Sequence, residues 1–94
     1  MRPLSEIRIE IDAIDDQVIA LLARRFALLP EVVAYKNANN LPATIPARVQ
    51  EVLGRNEANA ISRGIPVGLV HAIYDQIITA MCKAEAAVMI GHKS

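Results

Sequence analysis

Aromatic side chains are almost absent from this chain, which has no tryptophan, one phenylalanine (Phe26) and two tyrosines (Tyr35 and Tyr74). Yet 53% of its 94 residues are hydrophobic, so the apolar content is almost wholly aliphatic. Glycine is scarce too, and this aliphatic, glycine-poor composition suits packed helices better than sheets. A single cysteine, Cys82, excludes an intrachain disulfide. His71 and His92 stand apart from it and from each other, so no Cys/His cluster has metal-ligand spacing, and neither a metal nor a cofactor is expected. Neither sign of charge is in excess, with ten basic and ten acidic residues, which leaves no overall field for nucleic acid or an anionic membrane. No apolar run has the length of a membrane span. The opening Met1-Arg2-Pro3 and the acidic, amphipathic stretch after it do not read as a signal peptide. A cytoplasmic location is the default expectation.

What is present is a seven-residue rhythm. One row reads Leu4, Ile11, Val18, Arg25, Val32, and its neighbour reads Ile7, Ile14, Leu21, Leu28, Tyr35. These are the two seam rows of one long helix that packs along its whole length. Pro3-Leu4-Ser5-Glu6 starts it and Asn39-Asn40-Leu41-Pro42 stops it. Pro30 removes one backbone bond inside it, and the expectation is a kink rather than a break. A loop with two prolines follows over 39–46. A short second helix is expected over about 47–61, with Val49, Val52 and Leu53 inward and Gly64 as its C-terminal cap. A medium third helix is expected from Pro66 to about Ile90, ended by Gly91, with Leu69, Val70, Ile73, Ile77, Met81, Ala84 and Val88 as its apolar stripe. The fold class is therefore all-α, one domain over 1–94, with three helices.

About thirty-five helical residues span about 50 Å. A compact globule of this chain length has a radius of gyration of only about 12–13 Å. The long helix must protrude and be covered by a partner, which points to an intertwined homodimer.

Charge on faces that should be apolar marks the candidate site. Arg25 occupies a seam position, where a guanidinium needs an anion. Arg8 and Lys36 belong to a flanking row with Asp15, Leu22 and Leu29. Arg25 and Lys36 lie about 16 Å apart along the helix, close enough for two long side chains to grip one small molecule. Arg8 lies about 26 Å from Arg25 and about 42 Å from Lys36, beyond reach within one chain. In an antiparallel dimer, Arg8 comes alongside the far end of the other subunit. Arg48 begins the second helix beside the loop, and Glu85 sits on the third helix's apolar stripe among Ile78, Met81 and Val88. Burial favours the protonated form of an unpaired carboxyl, which can then donate a hydrogen bond.

Conventional readings exist for each residue. Arg25 can snorkel outward past its stem, Arg8 can bridge to Asp12 at i+4, and Lys36 suits a helix C-terminus on dipole grounds. Cys82 reads as inert helix filler, and His71 as a surface or core histidine.

Together, the pattern Arg8, Ile11-Asp12-Ala13-Ile14-Asp15, Leu21-Leu22-Ala23-Arg24-Arg25, Lys36 and Pro46-Ala47-Arg48, with Ile73-Tyr74-Asp75-Gln76-Ile77-Ile78, resembles the all-helical (AroQ-class) chorismate mutase family over essentially the whole chain. The resemblance implies a cofactor-free enzyme in the shikimate pathway of aromatic amino acid biosynthesis, which turns the dicarboxylate chorismate into prephenate. It implies that Arg25 binds a substrate carboxylate and that Arg8 comes from the other subunit. Lys36 would contact the ether oxygen and a carboxylate, Arg48 would form a site wall, and Met81 would line the substrate. Asp15 looks structural. Glu85 stands where many members have a glutamine directed at the ether oxygen.

Two positions depart from the family pattern. Many mutases have a glutamate after the Arg48 equivalent, reading the ring C4 hydroxyl, and an aspartate three residues before it; here these are Val49 and Ile45. The related isochorismate-pyruvate lyases, which give salicylate and pyruvate, also tend to an apolar residue after that arginine. Chorismate is the first expectation, isochorismate the alternative and an amino-substituted chorismate a remoter one. From another class, a non-catalytic helical dimerisation or regulatory module is an alternative that four convergent cations argue against. If Glu85 must carry a proton to stabilise the ether oxygen, activity falls as pH rises; an alkaline rate equal to the acidic rate defeats that role.

Overall fold

The computed structural model describes the backbone of residues 1–92 and the side chains of residues 1–89, and every described element is helical. Three rods follow one another, and the first is interrupted. It comprises α1 (Leu4–Phe26) and α2 (Leu29–Ala38); α3 (Pro46–Arg63) and α4 (Val67–His92) complete the chain.

The interruption has one cause. Pro30 has no N–H to offer the Phe26 carbonyl, and its ring crowds that oxygen. The helix therefore stops at Phe26, and Leu28 N–H turns to the Arg25 carbonyl at 3.2 Å. Ala27 and Leu28 nevertheless keep right-handed helical dihedrals (φ/ψ −64/−16 and −80/−7). Pro30 then falls in the first turn of α2, where a missing N–H costs nothing.

The core is small and lies between three elements. α2 and α3 each pack on α4, burying Val33, Val52, Leu53, Ala60, Met81 and Met89. Val52 and Leu53 are inward as the periodicity predicts, with Val49 half-buried. The stripe on α4 is only partly as expected. Met81 is buried and Val70, Ile77 and Ala84 are half-buried, but Leu69, Ile73 and Val88 are exposed. The inward face of α4 instead runs through Tyr74, Ile78, Met81, Glu85 and Met89. The helix is apolar on two faces, and periodicity alone did not say which one meets its own chain. Nor does Gly91 end α4, which continues to His92, since a glycine inside a helix costs only about 1 kcal/mol. The His92 side chain lies outside the described residues.

α1 has no buried residue. Its seam residues Leu4, Ile11, Ile14, Val18 and Leu21, with Leu28 just after it, are 49–58% exposed. The radius of gyration is 17.0 Å and the long dimension 61 Å, against about 12 Å expected for a compact chain of this length. The first rod does protrude, as its length requires.

Two helices end in the same way. After α3, Gly64 adopts φ +69°, with Gly64 N–H on the Ile61 carbonyl (3.3 Å) and Ile65 N–H on the Ala60 carbonyl (2.9 Å). After α2, Asn40 adopts φ +54°, with Asn40 N–H on the Asn37 carbonyl (3.5 Å) and Leu41 N–H on the Lys36 carbonyl (2.8 Å). Both are Schellman turns, closed by a left-handed residue. A Cβ added at Gly64 meets no atom within 4 Å, so only backbone strain opposes it. Gly64→Ala should therefore lower stability by about 1 kcal/mol, read from urea denaturation.

Candidate active site

A cleft of about 360 Å³ opens where the first rod, the 39–45 loop, α3 and α4 meet. Its cations come from three elements: Arg25 near the end of α1, Lys36 on α2, and Arg48 in the first turn of α3. Glu85 and Met81 reach it from α4, and Val49 and Ile45 form part of its wall. Seven of the eight residues singled out in the sequence thus share one cleft. Arg8 does not. It is exposed on α1, about 26 Å from Arg25 along the rod. Among the described residues it forms no ion pair, so the expected alternative bridge to Asp12 is not made.

Lys36 is the best-defined group. Its side chain is 15% exposed, and its Nζ donates to Glu85 Oε1 and to the Ala43 carbonyl, each at 2.7 Å. An ammonium has three protons. Two are used, and the third is available to the cleft that Lys36 lines. Glu85, with a side chain 5% exposed, is the only polar or charged residue among the described ones to be buried. Its partner is a lysine forty-nine positions away, on another element. In this geometry it is an acceptor, a use that differs from the donor expected from the sequence. The pair could have been suspected from two opposite charges on inward faces of different helices, but nothing local relates them.

Arg25 is half-buried and, among the described residues, has no carboxylate within salt-bridge distance. It lines the cleft as a guanidinium open to an anion. Arg48 is exposed, and its Nη1 donates to Glu51, one turn further along α3. Such an exposed pair holds the side chain only weakly.

The rest of the wall is apolar: Leu28, Val32, Val52 and Ile78, with Cys82 among them. Cys82, read from the sequence as helix filler, is a half-buried free thiol on the cleft surface. Ala43 was not foreseen because its contribution is a main-chain carbonyl, which no side-chain pattern reveals. His71 lies elsewhere, paired with Glu57 across α3 and α4 at 2.7 Å. No group of three or more metal-ligating side chains is found among the described residues.

Three cations around a small, largely apolar cleft with one buried carboxyl can bind a compact multivalent anion and direct an N–H at one of its oxygens. The model of the family described as chorismate mutase type II matches residues 7–86, which span every one of these groups. The chain belongs to the type II chorismate mutase family. It is similar to a 4-amino-4-deoxychorismate mutase of Streptomyces venezuelae, 34% identical over 86 residues, which cover 92% of this chain and 84% of that protein. A protein of Streptomyces pristinaespiralis with the same name is 28% identical over 83 residues, covering 88% and 64%. A bifunctional chorismate mutase/prephenate dehydratase of Aquifex aeolicus is 31% identical over 96 residues, covering 98% of this chain but only 26% of the longer protein. Family membership makes this chain an enzyme of the mutase type and lends no support to the alternative of a non-catalytic helical module.

Within this mutase fold the Lys36–Glu85 contact has a stability consequence. Removing one partner of a buried pair costs about 3–5 kcal/mol, less where the survivor keeps another bond. Lys36 keeps the Ala43 carbonyl and some exposure. Glu85→Ala should therefore cost about 2–3 kcal/mol in urea denaturation, and Glu85→Gln, which keeps an acceptor, under about 1 kcal/mol.

Proposed function

We propose that this cleft rearranges chorismate to prephenate, and that the observation carrying this reading is the convergence of Arg25, Lys36 and Arg48 with buried Glu85 on one cleft. The reaction breaks the ether C–O bond and forms a C–C bond within one molecule, so it needs no nucleophile and no redox partner. It needs the substrate folded so that the two reacting carbons approach, which is catalysis by orientation. Arg25 and Arg48 hold the substrate's carboxylates. Negative charge develops on the ether oxygen as its bond stretches, and the third N–H of Lys36 stabilises it. Glu85 and the Ala43 carbonyl keep that ammonium in place. Val49, Ile45 and Met81 enclose the ring.

The site is completed by a second copy of the chain. Support comes from the exposed apolar seam of α1, from the protruding rod, and from Arg8, which has no ion pair among the described residues and is out of reach of its own cleft. Setting Arg8 of one copy beside Leu28 of the other, in an antiparallel pair, puts the two-fold axis near Val18, itself a seam residue. The covered rows then bury one another as the interleaved seams of a homodimer. A cytoplasmic location fits the free Cys82 and the lack, among the described residues, of a helix long and apolar enough to cross a membrane.

A second substrate has specific support. The Streptomyces relatives are named for 4-amino-4-deoxychorismate, which differs from chorismate only in the ring C4 substituent. Val49 and Ile45 present no polar side chain to that substituent, so the wall selects shape over hydroxyl chemistry. Isochorismate, and with it salicylate formation, has no such support.

Incubation with chorismate and with 4-amino-4-deoxychorismate, followed by identification of the rearranged product, tests the reading. Lys36→Ala should lower kcat/KM at least about a hundredfold, as loss of an oxyanion donor does. Arg8→Ala and Lys36→Ala subunits, each inactive, should recover about a quarter of wild-type activity when mixed and reassociated one to one, since half of the dimers then hold one intact site. No recovery would sink the shared site.

A further inference from the structure

Lys36 is used twice by the same loop. Its main-chain carbonyl accepts the Leu41 N–H that closes the turn after α2, and its ammonium donates to the Ala43 carbonyl at the loop's far side, at 2.8 and 2.7 Å. Immediately before these two loop contacts stands Asn40, the one described non-glycine residue with a positive φ, at +54°. Pro42 follows and Pro46 begins α3, so the segment has fixed φ values at both ends of its course. Asn39 adds a side-chain bond from Nδ2 to the Tyr35 carbonyl (2.9 Å). The chain therefore reverses at one left-handed residue and returns a carbonyl to the ammonium three residues later.

Resting on the mutase reading, we propose that Asn40 is a positioning residue for Lys36: its left-handed backbone sets the loop that brings the Ala43 carbonyl onto the ammonium and thereby aims the remaining N–H at the cleft. Without that carbonyl, Glu85 is the one acceptor left to the ammonium among its described partners. The ammonium then swings about that contact, and its free protons are no longer fixed in direction. Geometry requires left-handed backbone at position 40, not an amide side chain. Gly64 closes α3 with the same pair of hydrogen bonds, which shows that glycine serves this turn. Asn and Gly are the residues that take this conformation readily, whereas a β-branched residue does not.

The test compares Asn40→Gly, Asn40→Ala and Asn40→Val by kinetics and by competitive reductive methylation of lysines, with peptide mass spectrometry as readout. Exposed Lys83 is the internal reference. Asn40→Val should raise the reactivity of Lys36 relative to Lys83 severalfold and lower kcat about tenfold with little change in KM, since carboxylate binding by Arg25 and Arg48 is untouched. Asn40→Ala should do the same more weakly, and stands in if the valine variant does not fold. Asn40→Gly should match wild type in both. In a Lys36→Ala background, Asn40→Val should cause no further loss of kcat, because residues that act as a unit are not additive. A wild-type methylation ratio in the folded valine or alanine variant overturns the proposal, as does a glycine variant as impaired as the valine one. The methylation readout does not depend on the substrate, so it distinguishes failure here from failure of the mutase reading.

Discussion

An ammonium held 15% exposed in the wall of a cleft must find acceptors, and Lys36 finds them on two separate parts of the chain. Glu85 ties it to α4 and the Ala43 carbonyl ties it to the loop that leads into α3. The contact thus fixes three elements relative to one another at the point where the chemistry is proposed to occur. Desolvating either charge alone is unfavourable, so the pair forms only when α2 and α4 are correctly docked. Such a pair adds little net stability but makes misplacement costly. The apolar residues around it, Val52 and Met81 among them, supply the driving force that the charges do not.

The first rod obeys a different constraint. α1 is an apolar seam with no buried residue of its own, attached to a small core it does not help to build. One feature, its length, accounts for the shape of the chain and for the proposed sharing of sites, since Arg8 lies too far away to serve its own cleft. Pro30 interrupts the rod beside that cleft. The break lies between Arg25 and Lys36, and α2 restarts in a turn where proline is favoured.

The mutase family membership and the cleft chemistry agree at the level of reaction class. The cleft wall at Val49 and Ile45, proposed to face the ring, is where this chain differs from the pattern it resembles, with apolar in place of polar side chains.

Periodicity and composition by themselves pointed to the all-helical class and to a rod too long for its own core, and marked Arg25, Lys36 and Glu85 as charges on or beside faces that should be apolar. Each of these follows from residue type and spacing, which local physics reads without a third dimension. Tertiary structure alone decided three things. Lys36 meets Glu85, because that pairing depends on how α2 docks against α4. The inward face of α4 passes through Tyr74 and Met89 rather than Leu69 and Val88, because two apolar faces on one helix are indistinguishable until a neighbour covers one. Last, a main-chain carbonyl at Ala43 enters the site, and backbone groups leave no mark in a sequence beyond the turn residue, here Asn40, that points them there.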